Sequence, residues 1–197
     1  MKLKARIRAV KYRSYKGQVG KIADNILQRQ FKADHPNQKW VTDVTEFNVR
    51  GEKLYLSPIM DLFNGEIISF KMHSKQIFGL VKDMLKDAMS TLKSNEKPIV
   101  HSDQGWQYQM AYYQNQLAEK GLTPSMSRKG NCLDNASMES FFGILKSECF
   151  YGEKFKTVDE LEQTVKEYIH YYNHERIKVK LKGLSPVEYR KQSLKPA

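Results

Sequence analysis

The sequence predicts a mixed α/β domain in which helices flank a five-stranded sheet. Three observations carry this prediction: three strand-like segments follow one another through tight turns, helical periodicity begins near residue 76, and short strands then alternate with helices. This order builds one layered domain, whose sheet has antiparallel strands on one side and helix-connected strands on the other.

The first three strands are predicted from alternation and from turn residues. "KWVTDVTEFNV" at 39–49 alternates β-branched or aromatic residues with polar ones, which is typical of a strand. The segments 52–63 and 65–72 follow Arg50-Gly51 and Asn64-Gly65. The second dipeptide is a strong hairpin signal because both of its residues tolerate positive φ. We therefore expect three antiparallel strands.

The rest of the chain alternates helices and short strands. Apolar residues recur at helical spacing over 76–93, and a short strand at 97–103, a helix at 107–120 and a strand at 122–127 follow. We interpret Asp134 as the N-cap of the next helix. A last helix begins at Thr157, which forms a capping box with the residue three positions later.

The chain of 197 residues is long enough for one domain with a sizeable core and an arm at either end. We expect a basic N-terminal arm or linker at 1–36, a core at 37–155, and a C-terminal helix with a basic tail at 156–197. No apolar run is long enough to span a membrane, no secretory signal is visible, and two cysteines without metal-ligand spacing fit reduced thiols. We expect a cytoplasmic protein without a membrane partner.

Positive charge is concentrated at the two ends of the chain. Residues 1–21 carry +8 and residues 176–197 carry +6, so the total of +11 leaves −3 for the 154 residues between them. Basic ends are often only solvated tails, but here the charges alternate with aromatic side chains, as in "VKYRSYKG". Phosphate pairing could then combine with stacking on bases, which favours DNA as the partner and makes Lys11 and Arg13 candidate contacts.

Three carboxylates occupy settings in which an unpaired charge is unusual. Asp43 lies inside the first strand, Asp103 ends the strand before "QGWQY", and Glu139 lies in the first turns of a helix; 59 and 35 residues separate them. Read alone, Asp103 is a turn former. With 22 acidic residues in the chain the spacing alone is weak evidence, but a charge inside a strand needs a partner.

Divalent cations would supply the positive charge that three converging carboxylates require. A pair of Mg²⁺ ions held by carboxylate oxygens is a standard device for in-line displacement at phosphorus, in which one ion activates the attacking oxygen and the other stabilises the leaving oxygen. We therefore predict Mg²⁺ as the cofactor, with Mn²⁺ as a substitute, and no catalytic histidine is required.

Four stretches carry a resemblance to a known family: "WVTDVTEF", "HSDQGWQY", "GNCLDNASMESFFGILKSE" and "YYNHERIKVKLKGLSPVEYR". Together they closely resemble the catalytic subunit of bacterial insertion-sequence transposases of the IS-three family, over about residues 10–191. That family shares a retroviral-integrase core and a D, D, 35, E signature. By position, its catalytic and metal-binding triad falls on Asp43, Asp103 and Glu139.

The resemblance implies a ribonuclease H-like fold and Mg²⁺-dependent cleavage and joining of DNA. The expected DNA partners are the terminal inverted repeats of the element and a target, on which the protein forms a homo-oligomer. Such transposases carry a helix-turn-helix region that is not visible in this sequence, so we expect an upstream partner frame to supply it. Two alternatives remain open: a ribonuclease H-like nuclease without strand transfer, and a truncated regulator that binds DNA without catalysis.

Other polar residues receive more ordinary interpretations. Asp61 is assigned to a hairpin and Asp134 to a helix cap, while His170 and His174 are taken as surface or packing residues because no third metal ligand is near. Gly143 shares a helix face with Glu139, and two explanations for it stay open: it lets the DNA backbone or a neighbouring strand approach beside the metal site, or it makes a tight contact between helix and sheet. The remaining candidate DNA contacts are basic residues: Arg128, Lys129, Lys146 and Arg176.

Overall fold

A mixed sheet separates two groups of helices in the computed structural model, which describes residues 20–194. The strands of this part of the chain are β1 (Lys39–Thr42), β2 (Thr45–Val49), β3 (Glu52–Asp61), β4 (Glu66–His73), β5 (Ile99–Ser102) and β6 (Thr123–Met126). The helices are α1 (Phe78–Ser90), α2 (Trp106–Gln109), α3 (Ala111–Glu119), α4 (Ala136–Cys149), α5 (Val158–His174) and α6 (Pro186–Ser193). None of these helices is long and apolar enough to cross a membrane.

The strands occupy five positions across the sheet. β3 is paired on both edges: β4 lies antiparallel along one edge, and β2 and β1 lie antiparallel along successive stretches of the other edge. β5 then pairs parallel with β1, and β6 pairs parallel with β5. β1 and β2 share one register along β3, with Thr42 opposite Ile59 and Thr45 opposite Leu56. They are therefore two halves of one interrupted strand, and the predicted mixed five-stranded sheet is confirmed.

The prediction of one continuous strand over 39–49 was wrong at Asp43, which lies in the gap between β1 and β2. The shared register places Asp43 opposite Pro58, which has no N–H to donate. The carbonyl oxygen of Pro58 instead accepts a hydrogen bond of 2.8 Å from the Thr42 hydroxyl. The Asp43 carboxylate accepts the N–H of Val44 at 2.7 Å, so side chains replace part of the backbone pairing.

Apolar side chains alternate between the two faces of the sheet and form one core on each. Trp40, Ile59 and Val100 pack with α1 and α3, whereas Val41 and Phe47 pack with α4 and α5. Both cores are fully enclosed, because each face of the sheet is covered by helices. The ends of β1 and β5 are thereby held in place from both sides.

Two helix predictions need correction. The predicted helix at 107–120 is divided at Met110, whose backbone is extended (φ −65°, ψ 137°). The break leaves the Tyr108 carbonyl without a helical partner, and the Gln114 side chain donates a hydrogen bond to it instead. At the last predicted helix, Thr157 accepts the N–H of Glu160 as expected. The Glu160 carboxylate, however, accepts the N–H of Lys156 at 2.7 Å, so the reciprocal half of the predicted capping box is displaced by one residue.

Asp61 joins the β3–β4 hairpin to the C-terminal helix, which confirms its assignment to a hairpin. Its carboxylate is fully buried, accepts the N–H groups of Asn37 at 2.8 Å and Phe63 at 3.0 Å, and forms an ion pair with Arg190 of α6. Arg190 also pairs with Glu66 at 2.7 Å. A buried carboxylate with this set of partners depends on each of them, since removal of the cation would leave its charge uncompensated.

We expect Arg190→Met to lower the free energy of unfolding by about 3 kcal/mol, because it leaves the buried Asp61 carboxylate without its cation. Lys191→Met, at the exposed neighbouring position, is the matched control and should change stability little. Urea unfolding followed by circular dichroism measures both variants. Equal losses in the two variants would show that this ion pair does not hold α6 to the hairpin.

Candidate active site

The parallel pairing of β1 with β5 brings two of the predicted site residues together. Val41 lies opposite His101 in this register. Asp43 and Asp103 each lie two residues further along the chain, directly after the ends of β1 and β5. The same register therefore places the two aspartates side by side at the carboxyl edge of the sheet. In open α/β sheets this edge is where the chain leaves the strands and where ligands bind.

Asp103 forms a tight turn directly after β5. Its Oδ1 atom accepts the N–H of Gly105 at 2.8 Å, which is the turn geometry that its sequence context indicates. A Cβ atom at Gly105 would lie 2.9 Å from that oxygen, closer than side-chain atoms pack. Glycine is thus needed here for the carboxylate to bond the backbone, and only one of the two Asp103 oxygens is used by this turn.

Glu139 lies in the first turn of α4 and is exposed to solvent. The start of this helix is attached to β1, because the Asn135 Nδ2 group donates to the Thr42 carbonyl at 3.2 Å. Asn135 precedes Glu139 by four residues, so the two side chains share a face of the helix. The face of α4 that bears Glu139 is therefore directed at the residue before Asp43.

Burial and mutual repulsion raise the pKa values of these acids. The pKa of Asp43 is raised well above its usual value by burial, then by the negative charge of Asp103, with a smaller contribution from Glu139. Burial also raises the pKa values of Asp103 and Glu139. Tyr108 lies beneath them, where burial and both aspartates raise its pKa well above normal. The three carboxylates therefore lie within electrostatic reach of one another.

The donor groups at this edge fit a divalent cation in their chemistry. All three acids offer hard oxygen ligands, and within residues 20–194 none of them lies within ion-pair distance of a lysine, arginine or histidine. The Oδ1 atom of Asn135 is buried and has no hydrogen-bond partner among residues 20–194. That orphaned acceptor would suit a water molecule of the coordination sphere.

The same side chains do not form a closed ligand cage. Across the described chain, no group of three carboxylate, imidazole or thiol side chains lies close enough together to hold a metal ion. Bringing three like charges to ligand distance requires a compensating cation, so at least one of the three side chains must move towards it on binding. Their assignment as ligands stays a prediction.

Asp134 has a different role from the predicted helix cap. It lies in a 3₁₀ turn before α4, and its buried carboxylate accepts hydrogen bonds from the guanidinium groups of Arg128 (3.0 Å) and Arg29 (2.8 Å). These contacts, led by Arg128, hold its pKa well below the usual range. The Asp134 carboxylate thus links the segment before β1 to the loop that precedes Glu139. It does not cap α4, because the two guanidinium groups bind its oxygens.

The candidate DNA contacts have different environments. Lys11 and Arg13 lie outside the described residues, and Lys129 is exposed on the loop before α4. The other three already have internal partners. Arg128 binds Asp134, Lys146 donates to the Glu46 carbonyl at 3.0 Å and lies 5.2 Å from the centre of the Phe47 ring, and Arg176 binds Glu148 at 2.6 Å. Contact with DNA stays a prediction for all six.

Gly143 lies on the exposed side of α4, one turn after Glu139. A Cβ atom built on it meets no atom within 4 Å. A tight contact between helix and sheet, one of the two explanations that the sequence left open, is therefore wrong.

His170 and His174 are exposed on α5 with ring centres 4.4 Å apart, in agreement with their interpretation as surface residues.

The fold is similar to solved structures of viral integrases. A chain of a simian T-cell lymphotropic virus intasome in complex with PP2A regulatory subunit B56 gamma matches with a TM-score of 0.67 and 16% identity, covering 93% of this chain and 62% of that one. An HTLV-2 integrase catalytic core domain in complex with magnesium matches with a TM-score of 0.61 and 18% identity, covering 80% and 98%. The architecture is that of the ribonuclease H-like α/β enzymes.

Sequence similarity gives the family. InsK of Escherichia coli K12, a putative transposase for insertion sequence element IS150, is 58% identical over 196 residues, which are 100% of this chain and 69% of InsK. A transposase-like protein of Haemophilus influenzae is 61% identical over 192 residues, or 98% of this chain and 88% of the relative.

Two models described as integrase core domain match residues 33–132 and 139–194. The chain belongs to the integrase core domain family and is a transposase or integrase catalytic core. The resemblance to insertion-sequence transposases is thereby confirmed.

The raised pKa of Asp43 predicts that a variant without this charge differs in stability from the parent protein, and the difference can be measured without substrate. A carboxyl whose pKa is raised by folding is stabilised by protonation at low pH, and that stability is lost as the pH rises through the folded pKa. Asp43→Asn keeps an acceptor for the Val44 N–H but removes the charge. We expect its melting temperature at pH 7 in chelator to exceed that of the parent protein.

The exposed Asp24→Asn is the control for loss of one negative charge and should leave the melting temperature nearly unchanged. The advantage of Asp43→Asn should shrink as the pH is lowered, because Asp43 itself then becomes neutral. A variant that is less stable than the parent at pH 7 would contradict the electrostatic strain assigned to this edge.

Proposed function

We propose that this chain is the catalytic domain of a DNA transposase. It hydrolyses the phosphodiester at the end of an insertion element to release a 3′ hydroxyl, which then attacks a phosphodiester of another DNA. The observation that carries the proposal is the register of β1 and β5, which sets Asp43 beside Asp103 in a chain of the integrase core domain family. The relatives named as transposases for insertion sequences support the same reaction class.

Asp43, Asp103 and Glu139 are the proposed ligands of Mg²⁺, for which Mn²⁺ can substitute. When bound, the metal would stabilise negative charge on the phosphate and on the attacking and leaving oxygens. Asp43 is fixed by its bond to the Val44 N–H, and Asp103 by its bond to the Gly105 N–H. Glu139 is exposed and free to approach once the two aspartates are neutralised. The buried Asn135 Oδ1 atom would orient a water molecule beside Asp43.

The proposed partners follow from the reaction and from the family. The terminal inverted repeats of the element and a target DNA are the two substrates, and a homo-oligomer assembles on them in the cytoplasm. An upstream helix-turn-helix frame is proposed to recognise the repeats. The net charge of +11 supports DNA binding, because phosphate neutralisation supplies most of the affinity of proteins for nucleic acid.

We expect Asp43→Asn, Asp103→Asn and Glu139→Gln each to abolish Mg²⁺-dependent nicking of DNA that carries the element end. Each substitution removes one anionic ligand and keeps the shape of the side chain. Glu153→Gln, at an exposed position outside the site, is the control for loss of one carboxylate and should remain active. Labelled duplexes separated on denaturing gels report nicked and joined products.

The products also separate the alternatives. Joined DNA molecules exclude a nuclease without strand transfer, whereas nicking without joining supports that nuclease. DNA binding without Mg²⁺-dependent turnover, in both the parent protein and the variants, would identify a regulator without catalysis and would overturn the proposed function.

Gly143 predicts a close approach of DNA to α4. Because its Cβ position is open, Gly143→Ala should raise the free energy of unfolding by about 1 kcal/mol, the difference in helix propensity between the two residues. We expect the same variant to bind and nick DNA less well, since the methyl group would occupy the path of the DNA backbone. Gly79→Ala in α1, remote from Glu139 in the fold, is the control and should leave DNA binding unchanged. Full DNA binding and nicking by a stabilised Gly143→Ala variant would contradict this placement.

A further inference from the structure

A groove of about 1100 Å³ runs beside the catalytic helix on the side away from the sheet edge. Its walls come from the β3–β4 hairpin, from α4 and from the segment between α5 and α6. Ala136 and Ser140 of α4 line it, and Glu139 lies between them in sequence on a neighbouring face of the helix. A ligand in this groove therefore lies alongside the proposed catalytic residue.

The groove contains a half-buried cation that has no anionic partner among the residues the structure describes. The Lys178 Nζ atom lies 2.6 Å from the Tyr172 hydroxyl, 3.4 Å from the Gly65 carbonyl and 4.0 Å from the centre of the Tyr172 ring. Among residues 20–194 no carboxylate lies within ion-pair distance of it. Two of the three ammonium N–H groups are therefore used, and the third is available to a ligand.

Burial of this ammonium lowers the pKa of Lys178 to about 8. A half-buried charge held only by a hydroxyl, a carbonyl and a ring face is stabilised further by an anion. The rest of the lining also has a positive balance, since Lys32 and Lys180 add positive charge against the single carboxylate of Asp34, while Arg176 is paired with Glu148. The groove is thus suited to a phosphate rather than to a cationic group.

Part of the groove wall is apolar and partly open. The rings of Phe63 and Tyr189 pack with centres 5.5 Å apart, and the side chains of Ile177 and Val179 are 68% and 96% exposed. Aromatic rings with exposed apolar side chains beside them, next to a basic floor, match the way in which proteins bind single-stranded nucleic acid, with phosphates on the cations and bases against the aromatic and apolar surface. A duplex cannot use this wall, because its base faces are stacked on one another.

We propose that this groove binds an unpaired DNA strand, with a phosphate on Lys178 and the adjoining bases against the Ile177–Val179 rim. The inference rests on the proposed function, because it takes DNA as the substrate. It adds that the strand beside Glu139 is received in single-stranded form. Lys178 is then a binding residue and takes no part in the chemical step.

Fluorescence anisotropy in the presence of a chelator tests this without catalysis. The probes are a blunt duplex and the same duplex with a single-stranded extension, titrated with the full chain at several salt concentrations. We expect the parent protein to prefer the extended probe. Lys178→Met should weaken binding of that probe about fivefold and lower the slope of log affinity against log salt by about 0.7, the value for one phosphate of a single strand. Binding of the blunt duplex should change little.

Lys154→Met, at an exposed lysine that does not line the groove, is the control for loss of one positive charge. Val179→Asp is a second variant in case Lys178→Met fails to fold, since a substitution at the almost fully exposed Val179 should not disturb folding. It too should remove the preference for the extended probe. Two results would overturn the groove assignment: equal effects of Lys178→Met and Lys154→Met, or an unchanged preference for the extended probe in Val179→Asp. In either case the proposed function still stands if the parent protein binds and nicks DNA. A parent protein that binds neither probe overturns both.

Discussion

The parallel pairing of β1 with β5 is the constraint on which the site depends. It sets Asp43 and Asp103 side by side at the edge of the sheet, although burial raises the pKa values of both and the charge of Asp103 raises that of Asp43 further. The two apolar cores that enclose Trp40 and Val41 from opposite faces hold this arrangement against its electrostatic cost. Folding thus maintains a local concentration of negative charge that a divalent cation would relieve.

Local backbone bonding converts this edge into a shaped site. The strand is interrupted at Asp43, where Pro58 offers no donor, and the carboxylate bonds the backbone of the next residue. Asp103 does the same two residues along its own turn, and Asn135 attaches the start of α4 to β1. Of the proposed triad only Glu139 is exposed to solvent. Beyond it, the groove with Lys178 would extend the proposed site towards an adjoining DNA strand.

The sequence predicted the fold class and the element order because both depend on periodicity and turn residues that are local in the chain. It predicted the strand across Asp43 as continuous, since the absence of a donor at Pro58 matters only once the two segments are paired. The role of Asp134 was missed for the same kind of reason, because Arg29 lies 105 residues away in sequence. Asn135 could be placed on the face of Glu139, but its bond to Thr42 spans 93 residues and has no local signal. The burial of Lys178 against Tyr172 was equally invisible, although their spacing along the chain is short.

The central claim is that Asp43, Asp103 and Glu139 together bind the catalytic cation. Crystals of the chain grown with Mn²⁺, measured at the manganese absorption edge, test this most directly. We expect anomalous density between Asp43 and Asp103, with Glu139 moved towards it and the Asn135 amide oxygen facing a water molecule of the ion. Manganese bound only at other residues, with the three carboxylates no closer together than in the structure described above, would contradict this assignment.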